Sequence, residues 1–196
     1  MAAKKPEFKR GFKTWADNKS LELRSRLGLA PCSPLKAAAL CKIFEVHLVT
    51  PADITLLPGE CLTTLCTNKG KEHWSAVTIP KFPSGFVVIH NPSHSLARQE
   101  SNIMHELAHI ICGHDMQSIH NRAGLPAYMR EFPTAQEEEA KWLGGCLQLP
   151  REALIWALQQ GMEQADIATY YLASAQMVRL RVNMTGVNKQ IKQFSR

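Results

Sequence analysis

Two histidines and a glutamate stand together near the middle of the chain, in the order His105-Glu106-Leu107-Ala108-His109. On a helix that turns by about 100° per residue, His105 and His109 lie one turn apart and about 40° from each other. Two imidazoles at this spacing can bind one Zn²⁺ ion. Glu106 lies beside them, too far around the helix to be a ligand from the same turn, and can deprotonate a water at the metal. The pattern predicts a hydrolytic zinc site.

The rest of this segment predicts a helix over 97–113 with one buried side. An apolar stripe lies opposite the two histidines and consists of Ile103, Leu107, Ile110 and Ile111. A helix that buries this stripe turns its histidines toward a cleft. The alternative, two core histidines that bind no metal, explains this placement less well.

A catalytic zinc site needs a third protein ligand and one open position. The nearest acidic residues are Glu137, Glu138 and Glu139, at the start of a second predicted helix over 134–148. Glu139 shares the inward face of that helix with Leu143, so we predict Glu139 as the third ligand, with Glu137 as the next choice. Acidic residues in a first turn also complement the helix dipole, which is the simpler role for Glu137 and Glu138.

Gly144 and Gly145 interrupt the same predicted helix. Each glycine costs a helix about 1 kcal/mol relative to alanine, so the pair needs a physical reason. Close approach of another backbone is such a reason. We expect the histidine helix to be this neighbour, because both helices must meet at one metal ion.

The remaining elements predict an α+β fold, with a small antiparallel sheet among helices. A short β-branched run at 46–50 reads as one strand, and the runs 74–79 and 85–90 read as a hairpin. Residues 51–72 are predicted as a loop with one helical turn. Further helices are predicted over 14–29, 35–44, 151–160, 163–172 and 174–184. The 196 residues, 45% of them apolar, suffice for one sizeable core, so we predict one domain over 14–186, helical from 151, between basic tails at 1–13 and 187–196.

The six cysteines raise a second question about the metal. No run of about 18 apolar residues is present and no apolar segment follows the basic N-terminus, so we expect a cytoplasmic protein with reduced thiols and no membrane contact. Core thiols are the simplest interpretation. A thiolate can also fill the fourth zinc position and keep the site inactive. The candidates for such a latch are Cys61, Cys66, Cys112 and Cys146.

The sequence leaves the substrate contacts open. A hydrolytic site stabilises a developing oxyanion with a hydrogen-bond donor, and the candidate donors are Arg98, His114, His120 and Tyr128. Each of them also fits a structural or exposed position. The strand at 85–90 could bind an extended substrate by strand addition.

Together these motifs resemble the ImmA/IrrE metallopeptidases. The lead-in of that family is similar to Asn91-Pro92 and Arg98-Gln99, its helix to the His105–His109 motif, and its closing helix to the segment from Glu139-Ala140 to Leu149-Pro150. The sequence departs from the family at three helix-packing positions, which are Lys141, Leu143 and Gly144. The resemblance implies a zincin-like domain in which zinc is held by His105, His109 and Glu139, with Glu106 as the catalytic residue.

The resemblance also implies a function. Members of this family are endopeptidases that cut a helix-turn-helix repressor or antitoxin once and thereby start a stress or phage-defence response. The expected partner is therefore a helix-turn-helix transcriptional repressor.

The net charge of +6 points to acidic partners, including nucleic acid. Residues 166–179 loosely resemble a helix-turn-helix with Ser174 as a helix cap. The alternative function is thus a nucleic-acid-binding regulator with structural zinc, and a combined possibility is a peptidase activated by single-stranded DNA. A helix pair that completes the core is the simpler interpretation, because the turn lacks the usual glycine. Additional basic residues follow at Arg179, Arg181, Lys189, Lys192 and Arg196.

Overall fold

The computed structural model describes residues 8–55, 58–67, 72–81, 83–114, 133–187 and 190. Its sheet has three strands, β1 (Val46–Val49), β2 (Ala76–Pro80) and β3 (Phe86–His90), in the order β1-β3-β2. The predicted hairpin is confirmed, because β2 and β3 are antiparallel. The sheet is mixed rather than wholly antiparallel, however, since β1 runs parallel to β3. A parallel neighbour requires a crossover connection, and the chain between β1 and β3 supplies it.

Helices make up most of the described residues, and the α+β class is confirmed. The predicted loop at 51–72 contains a 3₁₀ turn (Pro51–Asp53) and a two-turn helix, α3 (Gly59–Cys66). Helix α3 buries none of its residues, and its two turns are too short for a helical periodicity to be recognised in the surrounding loop sequence. The other helices lie close to their predicted bounds and are α1 (Phe12–Arg26), α2 (Ala37–Ile43), α4 (Leu96–Cys112), α5 (Thr134–Gln148), α6 (Arg151–Gln159), α7 (Gln164–Tyr170) and α8 (Ala175–Thr185).

In the part of the chain that the structure describes, the core consists of two hydrophobic clusters. The first joins α1, α2, the sheet, α4 and α5, and it buries the predicted stripe of α4 at Ile103 and Leu107. Ile110 and Ile111 pack against the same cluster while partly buried. The second cluster joins α6, α7 and α8. The site-bearing helices α4 and α5 therefore share one cluster with the sheet.

Two buried arginines hold the end of α5. The last carbonyl groups of a helix have no partner within the helix and carry its negative dipole end. Arg24 of α1 donates from Nη2 to the carbonyl of Leu147 at 2.8 Å, and Arg181 of α8 donates from Nε to the carbonyl of Leu149 at 2.9 Å. Both guanidinium groups are buried, so α5 is fixed between α1 and α8. Arg181, counted above among the additional basic residues, is therefore buried and does not contribute to a basic surface.

Several sequence predictions fall outside the described residues. Of the predicted basic tails, residues 1–7, 188–189 and 191–196 lie outside the described residues, and they include Lys189, Lys192 and Arg196. The predicted domain limits stay predictions. In the described part of the chain, no helix is long and apolar enough to cross a membrane.

Candidate metal centre

The two motif histidines meet at their Nε2 atoms. His105 and His109 lie one turn apart on α4, and their Nε2 atoms are 3.2 Å apart. The helix is defined at both ends, because the Ser95 hydroxyl accepts from the N–H of Arg98 and Gly113 ends it with φ 66°. The apolar stripe fixes the rotation of α4, and the histidines lie on the other side. The sequence prediction that this pair shares one helix face is confirmed.

Glu137 completes the group. One carboxylate oxygen, Oε1, lies 3.3 Å from Nε2 of His109, and the other, Oε2, lies 3.4 Å from Nε2 of His105. Among the described residues, these three side chains are the group that could hold a metal ion, with their ligand atoms within 4.8 Å of one another. Hydrogen bonds from the two imidazoles hold the pKa of Glu137 well below its usual range, against the effect of burial. The site therefore offers two nitrogens and an anionic carboxylate.

The third residue differs from the one that we predicted, because Glu139 lies elsewhere. Its Oε2 atom is 3.2 Å from Nε2 of His114. Glu139 is kept away from the two motif histidines because it does not lie on the face of α5 that packs against α4. A Cβ atom on Gly144 would lie 3.4 Å from the backbone of His105, so the Gly144 face is the one in contact with α4. Glu137 precedes Gly144 by seven residues, which places it on that face, whereas Glu139 is turned by about 200° from Glu137.

The expected close approach at the glycine pair is thus confirmed for Gly144 alone. Gly145 faces α8 instead, where a Cβ atom would lie 3.1 Å from Cδ of Arg181. One glycine lets α5 approach the metal-binding helix, and the other makes room for the buried arginine that holds the end of α5.

His114 lies directly behind His109. Its Nδ1 atom is 2.9 Å from Nδ1 of His109, while its Nε2 atom faces Glu139. Burial lowers the pKa of His114, which favours the neutral imidazole. We predicted His114 as a candidate oxyanion donor, but the structure places both of its ring nitrogens against protein groups.

Glu106 is held by the sheet. Thr78, a buried residue of β2, donates from Oγ1 to Oε2 of Glu106 at 2.5 Å. Sequence reasoning missed Thr78. The available signal was a polar residue inside an apolar strand, which needs a partner when it is buried.

The other predicted site residues lie apart from this group or outside the described residues. Arg98 is exposed in the first turn of α4, two turns before His105. His120 and Tyr128 lie in 115–132, outside the described residues.

None of the four candidate latch cysteines belongs to the metal-binding group that the described residues form. Cys61 and Cys66 are exposed on α3. Burial raises the pKa of Cys112 to about 12. Burial also raises the pKa of Cys146, whose thiol donates to Oδ1 of Asp17. The latch stays a prediction, and these surroundings favour neutral thiols at Cys112 and Cys146.

The fold and the site define a metallopeptidase of the α+β class. A family model that describes the IrrE N-terminal-like domain, Peptidase M78, matches residues 68–183. This match covers more than half of the chain, so the protein belongs to the Peptidase M78 family. The matched range contains β2, β3, α4 and α5, and with them every residue of the metal-binding group. A comparison with curated proteins found no match.

Proposed function

We propose that the protein is a zinc-dependent endopeptidase that cleaves a partner regulatory protein. The observation that carries the proposal is the closure of the histidine pair by Glu137. Zinc bound tetrahedrally at about 2.0–2.1 Å keeps neighbouring ligand atoms about 3.3–3.4 Å apart. The two Nε2 atoms are 3.2 Å apart, and the carboxylate of Glu137 approaches them with one oxygen 3.3 Å from His109 and the other 3.4 Å from His105. This donor set leaves the fourth position for water or substrate, as in catalytic rather than structural zinc sites.

The protein groups around the metal suit peptide hydrolysis. When bound, zinc supplies a Lewis acid for the scissile carbonyl and makes water more acidic. Glu106 takes the proton of the attacking water as the new C–O bond forms, and passes it to the leaving nitrogen as the C–N bond breaks. Thr78 holds one carboxylate oxygen of Glu106, which leaves the other for the water.

Strand β2 is the place where we expect an extended substrate to bind. On the side of β2 that faces β3, the N–H of Lys81 donates a hydrogen bond to the carbonyl of Gly85, and the carbonyl of Ser75 accepts one from the N–H of Asn91. Since such bonds alternate along an antiparallel pair, the backbone groups of Ala76 point away from β3. In the described part of the chain no strand pairs with that side. Strand addition therefore suits β2 rather than the residues at 85–90, because β3 lies between two strands.

The partner is inferred from the resemblance to ImmA/IrrE peptidases. It is a helix-turn-helix repressor or antitoxin, cut in the cytoplasm to start a stress or phage-defence response. The net charge of +6 supports single-stranded DNA as the activating signal.

The experiment is co-expression with the product of the neighbouring gene as candidate partner, followed by mass spectrometry of the fragments. We expect one cut with the unchanged protein and none with Glu106→Gln, while the partner remains bound. Glu138→Gln is the matched control, because Glu138 pairs with Lys141 at 3.1 Å rather than with a histidine, so this variant should cleave the partner normally. Cleavage by Glu106→Gln, or an intact partner with zinc-loaded protein, contradicts the proposal.

One observation favours the second candidate function, a nucleic-acid-binding regulator. The turn between α7 and α8 lacks glycine, but Leu172 adopts φ 49° there, the left-handed conformation that glycine would provide. Ile167 and Val178 are buried on the two helices, as a helix-turn-helix pair requires. The same burial also fits the simpler role, since both residues belong to the second hydrophobic cluster.

Fluorescence anisotropy with a labelled single-stranded oligonucleotide at several salt concentrations separates these roles. A binding surface on α8 predicts weaker binding and a smaller salt slope for Arg179→Ala, a change at an exposed position. Lys42→Ala on α2 is the control at another exposed cation. Equal affinities for all three proteins argue against an α8 surface, and DNA that speeds partner cleavage supports the activating role.

A further inference from the structure

We propose that His114 and Glu139 are positioning residues that fix the ring of His109 and thereby strengthen metal binding. The inference rests on the proposed zinc site and adds an outer set of residues to it. Three polar side chains stand in line behind the metal-binding group. The distances are 2.9 Å from His109 Nδ1 to His114 Nδ1 and 3.2 Å from His114 Nε2 to Glu139 Oε2.

Only one arrangement of protons satisfies this line with neutral imidazoles. If Nε2 of His109 offers its lone pair to the metal, the proton of that ring is on Nδ1. His109 then donates to Nδ1 of His114, so His114 carries its own proton on Nε2. That proton is donated to the carboxylate of Glu139. The direction of every hydrogen bond follows from the metal at one end and the carboxylate at the other.

The three side chains of this line are buried, which strengthens the hydrogen bonds between them. His109, His114 and Glu139 are 1%, 8% and 9% exposed. Hydrogen bonds between groups buried this deeply are stronger than those in water, so each contact in the line adds to the next. Metal-binding histidines commonly donate their second nitrogen to a carboxylate or carbonyl group, which fixes the ring and raises its basicity. Here a second imidazole connects the ring to the carboxylate.

The backbone explains how His114 reaches this place. Helix α4 ends at Gly113, whose φ of 66° turns the chain back on itself. The N–H of His114 then donates to the carbonyl of His109 at 3.1 Å, which is the six-residue bond of a Schellman motif. His114 is therefore placed over His109 by the end of the helix that carries it.

The test measures zinc affinity by competition with a chromophoric chelator, and the visible spectrum of the cobalt-substituted protein. We expect His114→Phe to weaken zinc binding about 10- to 100-fold, the usual effect of losing such a partner. His114→Asn should recover part of the loss, because its Oδ1 atom can accept at the position of Nδ1. Glu139→Gln should also weaken binding, and adding it to His114→Asn should have little further effect. The cobalt spectrum should change in His114→Phe, because the ligand ring is no longer fixed.

Glu138→Gln is the matched control, since it removes the same charge from the neighbouring half-buried position, where Glu138 pairs with Lys141, and it should bind zinc normally. Wild-type affinity and cobalt spectrum in His114→Phe, or the same loss in Glu138→Gln, overturn the proposal. If His114→Phe fails to fold, His114→Asn and Glu139→Gln decide, and wild-type zinc affinity in both refutes it. The readout is metal binding, so it does not depend on partner cleavage. A protein whose His105→Ala variant binds zinc as tightly as wild type would instead refute the zinc site itself.

Discussion

Replacing Glu137 by glutamine tests which glutamate completes the metal site. The change keeps the size of the side chain and removes its charge. The carboxylate now faces both histidines with one oxygen each, at 3.3 Å from His109 and 3.4 Å from His105. An amide has one oxygen and one NH₂ group, so it cannot face both imidazoles with an acceptor. The metal would lose an anionic ligand.

The expected loss follows from comparison with residues that do not bind the metal directly. Removing an outer partner of a ligand costs about 10- to 100-fold in metal affinity. Losing a direct ligand should cost more, so we expect zinc binding to weaken by at least about 100-fold, or about 2.7 kcal/mol. Glu139→Gln should fall within the smaller range, and Glu138→Gln should show no change. The predicted order of losses is therefore Glu137, then Glu139, then Glu138.

The assay is titration of the metal-free variants with zinc against a chelator of known affinity. All variants must be compared at one pH, because protons compete with the metal for the same ligands. Metal-free variants should first show the wild-type circular dichroism spectrum, so that a folding defect is not mistaken for a lost ligand. Wild-type affinity in Glu137→Gln, or a larger loss in Glu139→Gln, would refute the assignment of Glu137 and restore the sequence prediction.

Three further predictions concern the base, the acid stability and the sheet. Thr78→Val removes a hydrogen bond to the charged Glu106, worth about 1.5–3 kcal/mol, so single-turnover cleavage should slow by roughly 10- to 150-fold with unchanged zinc affinity. The pKa of Glu137 is lowered in the folded state, so this carboxylate stabilises the metal-free protein above the pKa of an unfolded glutamate, and the stabilisation is lost on acidification. The free energy of unfolding of Glu137→Gln, measured by urea denaturation, should therefore depend less on pH in the acid range than that of the wild type. Gly85→Ala should destabilise the protein by about 1 kcal/mol or more beyond Gly161→Ala, because both glycines have positive φ but only Gly85 would bring a Cβ atom within 2.8 Å of a backbone oxygen. Equal unfolding free energies for the two alanine variants would contradict that reasoning.

The site helices could be predicted because their signals are local. In α4, the apolar stripe fixes the buried side, Ser95 begins the helix and Gly113 ends it. The predicted range 134–148 for α5 agrees with the structure, where Pro133 precedes its first residue. Periodicity and end signals depend on neighbours along the chain, so one sequence suffices to read them.

The third ligand could not be fixed in this way, because it depends on how two helices cross. Both faces of α5 are buried, one against α4 and the other toward α1 and α8, so burial alone does not choose between them. Gly144 identifies the face of α5 that packs against α4, since a glycine within a helix can mark the closest approach of a neighbouring helix. Following the Gly144 face back by two turns leads to Glu137, whereas the apolar face through Leu143 leads to Glu139.

The strand order of the sheet and its hydrogen bond to Glu106 could not be predicted from the sequence. The parallel pairing of β1 with β3 joins segments about 40 residues apart, His47 opposite Val87. Strand order of this kind is decided by tertiary packing rather than by alternation in any one strand. Thr78 acquires its role only because β2 lies against α4, so its hydrogen bond to Glu106 could not be read from either segment alone.

The run of three glutamates shows how one helical turn can serve three purposes. Consecutive residues on a helix are about 100° apart, so the three carboxylates point in three directions. Glu137 faces the metal-binding histidines, Glu138 pairs with the exposed Lys141, and Glu139 holds His114 in the interior. Glu137 and Glu139 therefore act on His109 from opposite sides, one at Nε2 and the other through His114 at Nδ1. Because both are fixed to one rigid helix, any change that rotates or lifts α5 should disturb both ends of that ring together, which makes the close contact at Gly144 part of the metal site.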